Sequence, residues 1–85
     1  MFVTVADLRA KIEEDMRLSS VEYQNEAWAE AQLAGIEPEI MAKSAFTTAL
    51  RELGKTHDEE ELLALLDELR DRVQSGEFLA ARTHH

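Results

Sequence analysis

His57 stands apart from the paired histidines at the C-terminus of this 85-residue chain. With Glu60 or Glu61, three or four residues on, it has the spacing of two metal ligands on one helix turn. A transition-metal site takes three or four converging ligands, and one histidine beside carboxylates at a helix end falls short of that. The reading for His57 is therefore a solvated neighbour of a helix cap. His84 and His85 fit the stub of a purification tag and are set aside from the chemistry. The runs Glu13-Glu14-Asp15 and Glu59-Glu60-Glu61 carry the oxygen atoms that calcium or magnesium prefers. Successive helical residues point about 100° apart, so three in a row do not converge on one ion. The alternating acidic loop with a central glycine is absent.

Other catalytic chemistry finds no better footing. Carboxylate pairs for acid–base work need a cleft that shifts one pKa, and the acidic residues here fall on or near polar helix faces. There is no cysteine nucleophile, and no histidine is placed by sequence beside Ser19, Ser20 or Ser44. No Walker loop or dinucleotide fingerprint is present. The chain is expected to be no enzyme and to use no metal or cofactor. Gly54-Lys55-Thr56 between two helical patterns resembles the turn of a helix-turn-helix. The second helix would open on Glu59-Glu60-Glu61, however, presenting carboxylates to phosphate.

Charge narrows the partners further. Eighteen acidic residues against nine basic ones give a formal charge of -9. Nucleic-acid and anionic-membrane binding both draw on clustered Lys and Arg, so neither is expected directly. Acidity of this size serves solubility first. It leaves room for a basic protein partner or for a decoy that occupies a nucleic-acid-binding groove. Arg9 and Arg17 interrupt the acidic series Glu13, Asp15, Glu22, Glu26, which weakens the decoy reading. No apolar run approaches the ~20 residues of a membrane span. The N-terminus lacks a basic segment leading into an apolar stretch, so a cytoplasmic location is expected. The absence of cysteine agrees with a reducing compartment.

The elements that must position any site read as helices throughout, an all-α bundle of three or four. One domain over residues 1–79 is expected, with a tail at 80–85. Thr4 and Asp7 form a capping box, and Val5, Leu8, Ile12 and Met16 recur at helical spacing. At Ser19-Ser20 two readings stand. Ser19 with Glu22 makes a second capping box, which favours a break. The apolar stripe keeps its phase through Tyr23, Ala27 and Ala34, which favours one helix over about 5–34, roughly 45 Å long. That length exceeds what so small a globule covers by itself. Pro38 suits a first helical turn, and Ala42, Ala45, Phe46, Ala49, Leu50 and Leu53 form the next face, to about residue 53. Asp58 with Glu61, or Thr56 with Glu59, caps a last helix over about 58–75. Gly35, Gly54 and Gly76 each sit where a left-handed cap belongs.

Four residues are candidates for an interface: Trp28, Leu63, Leu66 and Phe78. Tyr23 lies on the stripe and reads as core. Trp28 lies well off it, among Ala27, Ala29 and Ala31, and either packs inside or anchors a partner. In the last helix, Leu62, Leu65, Leu66, Leu69 and Val73 form the stripe, and Leu63 widens it to about 160°. A surface helix needs about 100°. The surplus points to a partner helix. The expected function is a non-enzymatic protein–protein interaction or regulatory module, pairing with itself as a homodimer or with another protein. The alternatives are the nucleic-acid mimic and an accessory subunit of an enzyme.

Overall fold

The computed structural model describes residues 2–80. The fold is all-α, with three helices and no strand among the described residues: α1 (Val5–Leu33), α2 (Pro38–Leu53) and α3 (Glu59–Gln74). The expected tail lies outside the described residues except for Ala80, and His84 and His85 lie outside with it. The chain divides into two compact units, residues 1–43 and 44–85.

The first unit holds α1 and the opening turn of α2. Asp7 N–H donates to Thr4 Oγ1 at 3.0 Å, and Thr4 N–H donates to Asp7 Oδ2 at 3.2 Å, so two free amides at the positive end of α1 are satisfied reciprocally. The helix then runs 29 residues without a break at the serines. The capping potential of Ser19 and Glu22 is overridden because the apolar phase is continuous and no glycine or proline releases the chain. Gly35 ends the helix at φ 81°. Its N–H reaches the Gln32 carbonyl and the Ile36 N–H reaches that of Ala31, both at 3.0 Å, which closes a Schellman motif. An added Cβ at Gly35 would meet no atom within 4 Å, so the glycine is required by backbone conformation and not by space. Gly35→Ala should therefore cost about 1–2 kcal/mol, the penalty of a left-handed alanine, read as a lower thermal midpoint by circular dichroism.

The second unit holds the rest of α2, a tight turn and α3. Gly54 departs from expectation, because its φ is not positive. Its N–H continues the helical pattern to the Leu50 carbonyl at 2.9 Å. The reversal comes one turn later. The Leu53 carbonyl accepts from the N–H groups of Thr56 and His57, at 3.0 and 2.9 Å. His57 Nδ1 lies 3.1 Å from the same carbonyl. The choice left open at the start of α3 falls to Asp58: Glu61 N–H donates to Asp58 Oδ1, and Asp58 N–H to Glu61 Oε1, both at 2.9 Å. Thr56 instead directs its hydroxyl towards the end of α2.

A second Schellman turn closes α3. Gly76, at φ 85°, donates to the Val73 carbonyl, and Glu77 N–H donates to that of Arg72. The Arg72 guanidinium hydrogen-bonds the Glu77 carboxylate and lies 5.0 Å from the Phe78 ring centre. Hydrogen bonding from Arg72 holds the Glu77 carboxyl below its ordinary value of 4.5. A lowered folded-state pKa stabilises above the unfolded value and loses that contribution as pH falls through the lowered one. Wild type should thus lose stability relative to Glu77→Gln on descending below about pH 4.5. Parallel melting curves with pH check this, and identical pH profiles would remove the clasp's contribution. The difference should be small, because both groups face solvent.

Candidate docking surface on the first helix

α1 is apolar on two sides, and the chain treats them differently. Near its C-terminus Ala31 is buried, at 7% exposure, and Trp28 is half-buried. The stripe lies elsewhere on the cylinder: Trp28 follows Tyr23 by five residues, which turns it about 140° away. Along that stripe Leu8, Ile12 and Met16 are 53–60% exposed, and Val5 and Tyr23 more so. The same side stays exposed through Ala27, Glu30 and Ala34. Tyr23, expected in the core, is 71% exposed. Its neighbours along that side of α1, from Val5 to Glu26, are exposed as well.

Two grooves run along this side, and both are lined by α1 residues alone. One follows Val5, Leu8, Ile12 and Met16. The other lies over Met16 and Tyr23, widened where Ser19 and Ser20 leave room between larger side chains. A groove walled by one helix does not enclose a small molecule, which needs most of its surface buried. It does fit the side chains of another helix, which seat as knobs in such holes.

The flanks of the stripe are charged and solvated. Arg9–Glu13 and Lys11–Asp15 pair one turn apart at 4.0 and 3.7 Å, and on the far side of the helix Arg17 grips Glu14 with two hydrogen bonds. That grip, through hydrogen bonding first, holds the Glu14 carboxyl below its ordinary value. These are features of a solvent-facing edge and build no reactive group. Among the described residues no cluster of three or more His, Asp or Glu side chains is arranged to hold a metal ion. Among the described residues no helix is long and apolar enough to cross a membrane.

The four candidate interface residues are divided between the two units, Trp28 in the first and Leu63, Leu66 and Phe78 in the second. Leu63 and Leu66 share one edge of α3, at 52% and 39% exposure, while Leu62, Leu65 and Leu69 on the other edge are half-buried. Leu66 was expected inside the stripe and sits at its open margin. Phe78 is 52% exposed and packs against Arg72, which lies about 180° around α3 from Leu63, so it does not extend the Leu63–Leu66 edge. Trp28 belongs to the first unit and is half-buried there. On α2, Ala42, Ala45, Leu50 and Leu53 are half-buried as the pattern implies, but Phe46 is 59% exposed and Ala49 is open. Of the α1 stripe, only Tyr23 is expected in the core. The stripe's length, greater than a small globule covers, was the signal that it is a surface.

Compared with known proteins, the chain matches no family model, no curated protein and no solved structure.

Proposed function

We propose that this protein is a non-enzymatic interaction module that works by docking the apolar stripe of α1 against a helix of a partner chain. One observation carries the reading. Val5, Leu8, Ile12, Met16 and Tyr23 line a single side of one helix over about 27 Å and are all more than half exposed. Isolated apolar side chains on a surface are ordinary, whereas a contiguous apolar strip rimmed by charge marks an interaction site. Each such side chain gains about 1.5–3 kcal/mol when fully buried. The flanking ion pairs contribute far less, so apolar burial sets affinity and the acidic rim tunes choice of partner. Leu63 and Leu66 on α3 offer a second, smaller apolar edge.

The test is solvent accessibility in solution. Hydroxyl-radical footprinting of a dilute sample, at a concentration where light scattering gives the mass of one chain, should find Met16 and Tyr23 freely oxidised. Protection of both in the single chain would mean that the stripe is covered internally, and the reading fails.

A further inference from the structure

We propose that the stripe's occupant is a second copy of this chain, running antiparallel, with the two-fold axis between Ser19 and Ser20. The inference rests on the docking reading above and names its partner. The pattern of α1 is self-complementary about that point. Reversing the helix there sets residues whose numbers sum to 39 opposite each other. Met16 then faces Tyr23 of the other copy, Ile12 faces Ala27, and Val5 faces Ala34, while Leu8 falls opposite the already buried Ala31. Large side chains meet small ones at the Ile12 and Val5 levels, and at the Met16 level a thioether meets an aromatic ring, a favourable contact. The serines fall on each other at the centre, where their small side chains let the helices approach and where the larger of the two grooves lies.

Charge and area agree with this arrangement. Arg9 and Glu30 both lie within about 40° of the stripe, and their numbers also sum to 39. The antiparallel register brings opposite charges together at both ends. A parallel register would set Arg9 by Arg9 and Glu30 by Glu30. The present partner of Arg9, Glu13, is held at only 4.0 Å. Antiparallel helices also oppose their dipoles. The five stripe side chains expose roughly 100 Å² each, so two copies bury at most roughly 1,000 Å² through them alone. That upper figure reaches the lower bound of a specific interface before the flanking residues are included.

The chain has no cysteine, so disulfide trapping starts from a clean background. Full-length Ile12→Cys and Ala27→Cys, mixed and oxidised, should form a 12–27 heterodimer, with neither variant forming a disulfide to itself. Like positions are separated by about 15 residues, or 22 Å, in this register, beyond disulfide reach. Sedimentation should give twice the chain mass. Association should strengthen as salt rises, because each copy carries a charge of -9. Self-crosslinked Ile12→Cys in place of the heterodimer would overturn the antiparallel register. A single-chain mass at millimolar concentration would overturn the second copy as occupant. In that case, free oxidation of Met16 and Tyr23 would leave the docking reading standing with another protein as partner, and protection of them would end both.

Discussion

Leu65→Asp should lower the thermal midpoint by roughly 10–20 °C, at about 4–8 °C per kcal/mol for a chain of this size. Leu65 sits with Leu62 and Leu69 on the half-buried edge of α3. The substitution removes about half of a leucine's burial, on the order of 1 kcal/mol. It also places a carboxylate where water is partly excluded, adding on the order of 2 kcal/mol. Leu63→Asp provides the comparison, two residues away at 52% exposure on the other edge. It should cost no more than about 1 kcal/mol in the isolated chain, since only the covered half of the side chain is lost and the carboxylate stays in water. Scanning calorimetry of the two variants separates the edges. Equal losses would mean that α3 is covered all round, and equal tolerance would mean that Leu65 packs against nothing.

Where the chain starts and stops its helices was legible because those signals are local. Thr4 with Asp7 and Asp58 with Glu61 each satisfy their own free amides, and Gly35 and Gly76 supply the left-handed residue that a Schellman turn needs. Gly54 misled for the same reason. The turn after α2 uses the backbone of Thr56 and His57 on the Leu53 carbonyl and asks for no positive φ. His57 was legible as a neighbour of a cap, and its ring nitrogen points to the end of α2. What periodicity does not encode is the covering surface. The spacing of Ile12, Met16 and Tyr23 shows that one side of α1 prefers to leave water, whether the cover comes from the same chain or another. Tyr23 was placed in the core on that pattern and is exposed. The interface candidates Trp28, Leu63, Leu66 and Phe78 fall off the α1 stripe, whereas a long open apolar strip lies along that stripe.

Ile12→Glu should weaken association about 100-fold or more and, with it, unravel the N-terminal half of α1. Ile12 is 57% exposed, so covering it gains on the order of 1–1.5 kcal/mol per copy. A symmetric pair loses that twice, and tenfold in affinity corresponds to about 1.4 kcal/mol. The introduced carboxylates add repulsion in a rim that is already acidic. The structural consequence follows from what holds α1 without a partner. From Val5 to Glu26 no residue is buried or half-buried. The capping box contributes about 1 kcal/mol. Arg9–Glu13 and Lys11–Asp15 contribute a few tenths each, with the base N-terminal to the acid, the less favourable order. Those sums are small, and most of the stability of a protein helix comes from packing its amphipathic face, which this stretch does not do within its own chain. Helix content should therefore track assembly. Ellipticity at 222 nm in wild type should fall on dilution in step with dissociation, and in Ile12→Glu it should be low at every concentration. Full ellipticity in that variant, unchanged by dilution, would show that α1 stands without a partner and that its apolar stripe is not what keeps it helical.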